Sequence, residues 1–389
     1  MSEKIKLGEI IDTIQGSQYP LDEQITENKE GYLRFLRISD YTKSDEPIRY
    51  VKYSGKELIC EENEVVVVRY GNVGFIGYGK KGILANNLFV LRLKNKNFDS
   101  KYLYYYLNSP NINNAIVNKA NSSTMPALTH KMIKELEIPV VDIEKQKSIV
   151  SRLNKIQKII DIRKEQIEYF DELVKSQFVE MFGNPFLNDK KWKLKKLKEI
   201  SISIADGSNV DKKYYKTKGD VLFLRIQNVW RNEFRLEDSV FISKEENKEY
   251  IDTSLKYGDI LICKIGRNYT KDTSLGRVAI YLGEDDKANY SNNIMKIRLT
   301  DEVNSKFVNM LLNLEDYQEH IKRVSKGGTD KRALNKSIIG DLPIILPPKA
   351  MQDEYINKIE RIDKQKFEIQ KSLDEIQELY ESLMDKYFG

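Results

Sequence analysis

The sequence predicts an α+β fold in which two mixed α/β globular halves are separated by two long antiparallel coiled-coil helices, pseudo-two-fold through an internal duplication. Three observations lead there. Short motifs recur with a spacing near 206 residues, apolar β-branched runs sit inside each copy, and a 3–4 apolar spacing persists through the last forty residues of each copy.

The repeat comes first. Lys6-Leu7-Gly8-Glu9-Ile10 answers to Lys196-Leu197-Lys198-Glu199-Ile200, and Phe35-Leu36-Arg37-Ile38 to Phe223-Leu224-Arg225-Ile226. Asn63-Glu64 with Val65–Val68 answers to Gly258-Asp259 with Ile260–Cys263. Asn86-Asn87 answers to Asn292-Asn293, Arg92-Leu93 to Arg298-Leu299, and Ala127-Leu128 to Ala333-Leu334. Gln146 answers to Gln352, and Phe182-Gly183 to Phe388-Gly389. From Asn86 onward the offset stays at 205–206, a register that chance does not hold through a strand, a loop and a long helix.

Within each copy, Val65–Val68 and Ile260–Cys263 are short continuous apolar runs, the pattern of buried strands. Gly71, Gly74, Gly77 and Gly79 mark hairpin-like turns. Tyr102–Leu107 and Phe307–Leu312 have the apolar faces of short helices. Leu136-Glu137-Ile138-Pro139 and Leu342–Pro348 close the globular halves as proline-bounded strands. The long helices then follow. Leu153, Ile156, Ile160, Arg163, Ile167, Phe170, Val174, Gln177 and Met181 step by 3 and 4, the spacing of a coiled-coil seam. Ile359, Ile362, Lys366, Ile369, Leu373, Ile376, Tyr380, Leu383 and Tyr387 repeat it. Arg163 corresponds to Ile369, and Ile160 to Lys366; complementary breaks of this kind suit two non-identical helices packed on each other rather than each on its own half. Forty residues of helix span about 60 Å, so the expected molecule is a rod with a globular half at each end.

Composition excludes several classes. With 40% apolar and 32% charged residues, and no apolar run of about eighteen, a membrane span is not expected. The polar stretch Met1–Gly8 lacks a signal-peptide core. Cys60 and Cys263 lie far apart in strand-like runs, which argues for a reducing, cytoplasmic setting and against disulfides or zinc. His130 and His320 read as surface or loop residues, and no metal or cofactor is expected. The net charge of +5 is uneven: +2 over residues 1–141, zero over 142–183, +6 over 184–347 and −3 over 348–389. The globular halves hold the positive charge, which permits a polyanionic partner.

Catalytic motifs fail on inspection. Gly74-x-x-x-x-Gly79-Lys80 has Lys81 where a phosphate loop needs Ser or Thr for magnesium. Asn184-Pro185-Phe186 lacks the second proline of a methyltransferase motif and reads as helix termination. Asp189-x-Lys191 and Asp211-x-Lys213 have no upstream carboxylate on a strand, and two histidines support no nucleophilic triad. The positive features are donor-rich loops. One is Lys326-Gly327-Gly328-Thr329-Asp330-Lys331-Arg332, answered in the first copy by Asn121–Pro126 with Ser122, Thr124, His130 and Lys131. Another is Lys264–Tyr269 with Arg267, Asn268 and Tyr269, answered by Arg69, Tyr70 and Asn72. Arg, Lys and Asn match the edges of guanine and adenine, and Tyr packs on sugar or base. Lys80 and Lys81 join this candidate DNA-contact set; the lysine run 190–198 reads equally as a solvated linker or a phosphate contact.

Taken in order, these motifs resemble the specificity subunit of type I restriction–modification systems. The carriers are Phe35–Asp40 and Phe223–Asn228, Gly71–Gly74, the paired asparagines, the Gly-Gly-Thr loop running through Ala333-Leu334 into Leu342–Pro348, and Gln146 or Gln352 opening each helix. Met181-Phe182-Gly183-Asn184-Pro185 closes the first helix. The resemblance spans the chain and implies target-recognition domains at 1–141 and 184–347, with spacer helices at 142–183 and 348–389. It further implies an asymmetric bipartite site on double-stranded DNA, two docked methyltransferase subunits, and restriction–translocase subunits joining that core. ATP, magnesium and S-adenosylmethionine would belong to those partners. Two departures, Asn121-Ser122-Ser123 in place of a glycine-rich loop and the longer stretch Lys264–Gly276, imply that the halves read different sequences. A specificity subunit of a related methyltransferase system or of a type IIB-like enzyme, a coiled-coil scaffold without DNA, and a nuclease or methyltransferase in its own right are the rival readings. If the helices are spacers, inserting one helical turn near Ile160 lengthens the gap between half-sites; an unchanged gap in the host's methylation motif refutes this.

Overall fold

The computed structural model describes residues 3–43, 45–56, 58–121, 126–267, 273–328 and 331–389. Two compact units emerge, and they cut across the four consecutive segments read from the sequence. The first comprises Met1–Ile167 with Glu368–Gly389, and the second Glu168–Phe367. The long helices, Ile143–Phe182 and Lys349–Phe388, are therefore each divided between units. The reason is the length of the apolar stripe: a globular half covers only the opening turns of its own helix, and the rest needs another surface.

In the first unit an antiparallel sheet has the order Ile11–Gln15, Leu88–Leu93, Val65–Val68, Ile76–Gly77. All four valines of Val65–Val68 are buried because the strand separates two cores. Val65 and Val67 face one with Phe89 and Tyr102, while Val66 and Val68 face the other with Leu36 and Leu84. That is why the run lacks the apolar–polar alternation of a half-exposed strand. A second sheet runs Arg49–Lys52, Tyr32–Leu36, Gly82–Leu84, Ile59–Cys60, with Tyr32–Leu36 and Gly82–Leu84 parallel.

The second unit repeats the plan. Its four-stranded sheet is Ser201–Asp206, Ile294–Leu299, Ile260–Cys263, Val278–Ile280, and Ile260–Cys263 again divides two cores. The companion sheet is Val240–Ile242, Val221–Leu224, Ala288–Tyr290, the last pair parallel. One buried difference is Lys296, which stands where the first copy has Val90. Its ammonium donates to the carbonyls of Ser254 (3.1 Å) and Asp252 (3.4 Å), pinning that turn to the sheet, and burial lowers its pKa. The lysine run forms the strand Lys193–Lys196 against Pro343–Leu346, with Lys196 and Lys198 3.0 and 2.9 Å from Asp341.

Repeat residues far apart in sequence turn out to be partners within each copy. Glu64 binds Arg92 in the first unit, and Asp259 binds Arg298 through two contacts of 2.7 Å in the second. Each carboxylate also accepts from the turn before its strand: Glu61 N at 2.9 Å, Lys256 N at 2.7 Å. Gln146, fully buried, accepts from Asp99 N (2.9 Å) and donates to the carbonyls of Asn97 (2.9 Å) and Val141 (2.6 Å). Gln352 does the same work with Asn304 N (3.0 Å) and Pro347 O (2.8 Å). Asp99 and Asn304 meanwhile cap the helices Ser100–Asn108 and Ser305–Asn313.

Each unit is closed by the end of the other copy's helix. In the first, Phe388 lies 5.2 and 6.2 Å from the rings of Tyr102 and Tyr106, in one core with Ile149, Leu153 and Met384. In the second, Phe182 lies 5.0 and 5.3 Å from Phe307 and Tyr355, beside Phe178. The helix segments run antiparallel within each unit: Arg152 meets Tyr387 at 3.3 Å in one, and Tyr355 meets Val174 at 3.3 Å in the other. Of the seam residues, Leu153, Ile160, Ile359 and Leu373 are buried, while Ile156, Ile167, Phe170, Val174, Ile362, Ile369, Ile376 and Tyr380 are half-buried. Polar seam positions find partners: Lys366 reaches Asp171 of the other helix at 2.5 Å, and Arg163 reaches Gln166 of its own at 2.9 Å.

Two measurements check this packing. Phe388→Ala should cost about 3–5 kcal/mol. Hydrogen exchange should place the loss in residues 100–120 and 143–153 of the first unit, far away in sequence, with the second unit unaffected; Phe182→Ala should do the reverse. Asp259→Ala should destabilise by about 2–3 kcal/mol in denaturant titration, below the ~3–5 of a fully buried pair because Arg298 reaches solvent.

Candidate nucleic-acid interface

The polar motifs of the repeat converge on one backbone position per copy. Arg69 follows the strand Val65–Val68; its N–H donates to Asn87 O (2.8 Å) and its carbonyl accepts from Leu128 N (2.7 Å). Lys264 follows Ile260–Cys263, donates to Asn293 O (2.9 Å) and accepts from Leu334 N (2.8 Å). Paired asparagines, the Ala-Leu segment and the residue after the central strand thus meet at one end of each four-stranded sheet. Backbone groups hold the junction, which leaves the side chains there free to differ between copies.

In the first unit they are mostly neutral. Tyr70 donates to Asn86 Oδ1 (3.3 Å), whose amide nitrogen donates to Gln18 Oε1 (3.2 Å). Gln15 donates to the carbonyls of Asn86 and Leu88, while His130 Nε2 lies 3.0 Å from Gln15 Oε1. His130 is not the surface or loop residue expected. It opens the helix His130–Lys134, half-buried and stacked 4.5 Å from Phe89. Burial first, then the charges of Arg69 and Lys134, hold its pKa below the ordinary histidine range. Arg69, Tyr70 and Asn72 are exposed, with the Arg69 guanidinium 6.0 Å from the Tyr70 ring centroid. Lys131 is exposed, 3.8 Å from Glu135. His320 likewise lies on a helix, Glu315–Val324, against Phe186 at 5.2 Å.

The second unit is cationic. The segments Ile265–Arg267, Lys331–Ala333 and Lys326–Gly327 form a three-stranded antiparallel ribbon in that order. Two loops read separately in the sequence are thereby one surface. Arg267 stands opposite Lys331, and Lys326 opposite Ala333, so strand alternation places Arg267, Lys331 and Lys326 on one face. Like charges directly opposite on a sheet repel. The face they share is cationic. Beside the ribbon a cleft of about 390 Å³ is lined by Ile226, Ile265, Arg267, Arg277 and Lys331 among others.

Several candidates have other duties. Lys80 donates to Asp40 O and sits 5.3 Å from the Tyr41 ring, tying the strand region to the turn after Tyr32–Leu36. Lys81 pairs with Glu61 at 2.8 Å. Lys264 pairs with Asp206. Arg332, on the opposite face of the ribbon, donates to Lys322 O (3.2 Å) and Ser325 O (3.4 Å), closing the C-terminus of Glu315–Val324. Lys80, Lys264 and Arg332, all half-buried, belong to the scaffold because each has a carbonyl or carboxylate within reach, whereas Lys81 stays exposed beside Glu61. Ser122, Thr124, Asn268, Tyr269 and Thr329 lie outside the described residues. Gln15, Gln18 and Asn86 were not among the sequence candidates. Their signal was Gly16-Ser17 recurring as Gly207-Ser208. A Cβ at Gly16 or Gly207 would come within 2.2 or 2.4 Å of Ala85 O or Ser291 O, so glycine is required at this crossing in both copies.

Among the described residues, no three His, Cys, Asp or Glu side chains converge as a metal-binding group, and no helix is long and apolar enough to cross a membrane.

Comparison with known proteins agrees with this duplicated design. The sequence matches the type I restriction modification DNA specificity domain twice, over residues 2–169 and 189–379. It is 25% identical to the type I restriction enzyme MjaVIII specificity subunit of Methanocaldococcus jannaschii, across 97% of this chain and 91% of that protein. The StySPI specificity subunit of Salmonella potsdam is 19% identical, across 96% and 86% respectively. The fold is similar to the crystal structure of the type I restriction–modification S subunit from M. genitalium (TM-score 0.61, 17% identity, 100% of this chain and 96% of that one). A chain from a structural study of type I complex assembly and conformational transition gives a TM-score of 0.57 at 18% identity, covering 99% and 97%. With both copies of the domain matched over most of its length, the chain belongs to the type I restriction–modification DNA specificity family, as a specificity subunit.

Proposed function

We propose that each unit of this specificity subunit reads one half of an asymmetric bipartite site on double-stranded DNA, using the end of the sheet at which Arg69 or Lys264 is held. The observation that carries this is the convergence of the repeat's polar motifs at that sheet end, on a scaffold common to both copies but with different side chains. Gln18, Tyr70, Asn86 and Arg69 form the first surface; Arg267, Lys326 and Lys331 are the main cations of the second. Arg and Asn read purine edges in the major groove, and lysines supply phosphate contacts that position without specifying. Ser122, Thr124, Asn268, Tyr269 and Thr329 belong to the same loops by sequence and are proposed as contacts on that ground alone.

The subunit itself is non-catalytic in this reading, acting in the cytoplasm, with methylation and cleavage carried out by partner subunits. Two methyltransferase subunits dock, one for each half-site, and restriction–translocase subunits join that core. Apolar side chains left exposed on the long helices, among them Ile159, Ile162, Tyr169 and Phe367, support docking there.

Changing Lys326 and Lys331 to Gln should weaken binding on all duplexes alike and make the salt slope shallower by about one per lost phosphate contact. Lys81→Gln, which breaks an internal ion pair, should change it little. Asn86→Ala should instead relax sequence preference at one position, costing about 1–3 kcal/mol on the correct site only. Methylation or binding by the assembled complex without any sequence preference would sink the proposal.

A further inference from the structure

The two copies carry one loop with opposite charge. It starts at the required glycine, Gly16 or Gly207, and passes a single 3-10 turn, Leu21–Glu23 or Lys212–Tyr214. It then rejoins the smaller sheet at the bridges Ile25↔Tyr50 and Lys216↔Phe241. The offset is 191 throughout, so Leu21, Asp22, Glu23, Ile25 and Glu27 stand where Lys212, Lys213, Tyr214, Lys216 and Lys218 stand. Between residues 16 and 28 there are three acids and no base; between 207 and 219, four bases and one acid. All four lysines and Tyr214 are exposed.

The basic loop leaves the sheet at the end that also bears the cationic ribbon. Ser208 bridges Ser291, Asn292 N donates to Ser208 O (3.0 Å), and Asn293 O accepts from Lys264 N (2.9 Å), one residue before the ribbon starts at Ile265. Its base is rigid. Val210 is buried with Val221, Phe223 and Ile242, and Tyr215 packs 5.4 Å from Phe223. Lys213 N–H donates to Asp211 Oδ1 (3.0 Å), fixing the turn, and the exposed Lys213 ammonium stands 3.5 Å from Asp211 Oδ2 and 4.8 Å from the Tyr214 ring. Such an arrangement presents lysines interleaved with an aromatic ring from a fixed stem, suited to a polyanion backbone. In the first unit the same position is acidic and would be repelled by phosphate.

We propose that the loop carrying Lys212, Lys213, Lys216 and Lys218 is a DNA phosphate clamp present in the second unit only. The second unit thereby supplies most of the salt-dependent, sequence-independent affinity, and the first reads its half-site through polar groups that are neutral apart from Arg69, with little phosphate anchoring. This rests on the DNA-reading proposal above.

The test uses the full chain and a labelled duplex, following log K against log salt by fluorescence anisotropy. Replacing all four lysines by Gln should make the slope shallower by about 2–4, at about 0.9 per phosphate contact, on specific and scrambled duplexes alike. Replacing Asp22, Glu23, Glu27 and Glu30 by Asn or Gln should change it by less than about one. An unchanged slope in the lysine variant, with the Lys326/Lys331 variant still shallower, overturns the clamp and leaves the DNA reading standing. No change in either variant overturns both. A slope steepened by about 2 or more in the acid-loop variant puts that loop on DNA as well and overturns the division of labour. Loss of methyltransferase co-elution at an unchanged salt slope makes the basic loop a protein contact and overturns the clamp.

Discussion

The structure depends on an exchange of helix ends. Neither globular half closes its own core: the apolar face of Ser100–Asn108 is completed by Phe388 and Met384, and that of Ser305–Asn313 by Phe178 and Phe182. Aromatic side chains bury large areas, so each exchanged end holds several contacts that the local sequence cannot provide. Antiparallel pairing of the helix segments follows from this. With the end of one helix beside the beginning of the other in each unit, their apolar stripes face each other across the remaining turns. Duplication alone would produce two domains in tandem; duplication with exchanged ends makes each unit depend on both copies.

Around that constraint the chain separates groups that build from groups that vary. The building groups are backbone-directed and paired: Gln146 and Gln352 at the helix starts, Glu64 with Arg92, Asp259 with Arg298. Each satisfies buried donors or acceptors that would otherwise cost about 1–3 kcal/mol apiece. The varying groups sit at the sheet end, where Arg69 and Lys264 are held by their own peptide groups. A junction made by the main chain tolerates almost any side chain, so Gln15 and His130 can occupy one copy and Asp206 with Lys264 the other. Two chemically different surfaces can then stand on one scaffold without loss of fold.

The contrast between those surfaces is electrostatic before it is anything else. In the first unit the sheet end carries amides, a tyrosine hydroxyl and the exposed cation of Arg69; in the second it carries the Arg267–Lys331 ribbon and the basic loop. Hydrogen bonds to base edges act over a few ångströms and carry sequence information, whereas lysine–phosphate attraction reaches about a Debye length and carries none. In the proposed reading, unequal division of these two terms between units is what makes the reading asymmetric.

Much was legible in the sequence because it is written in local pattern. The valine run, the 3–4 seam and the offset of 205–206 are periodicities, and each marks an element whose apolar face must be buried. Membership of the family was legible too, since the order of motifs repeats in both copies. What the sequence by itself determined was thus the duplicated α+β plan, the long helices and the motifs that recur. Only the tertiary structure decided which recurring residues are partners, that the helix ends are exchanged, and which cations are spent on the scaffold. Lys80, Lys264 and Arg332 look no different in sequence from Lys326 or Lys331. What separates them is whether a carbonyl or carboxylate from a distant segment lies within hydrogen-bonding reach. That depends on the packing of segments remote in the chain, which no local pattern encodes.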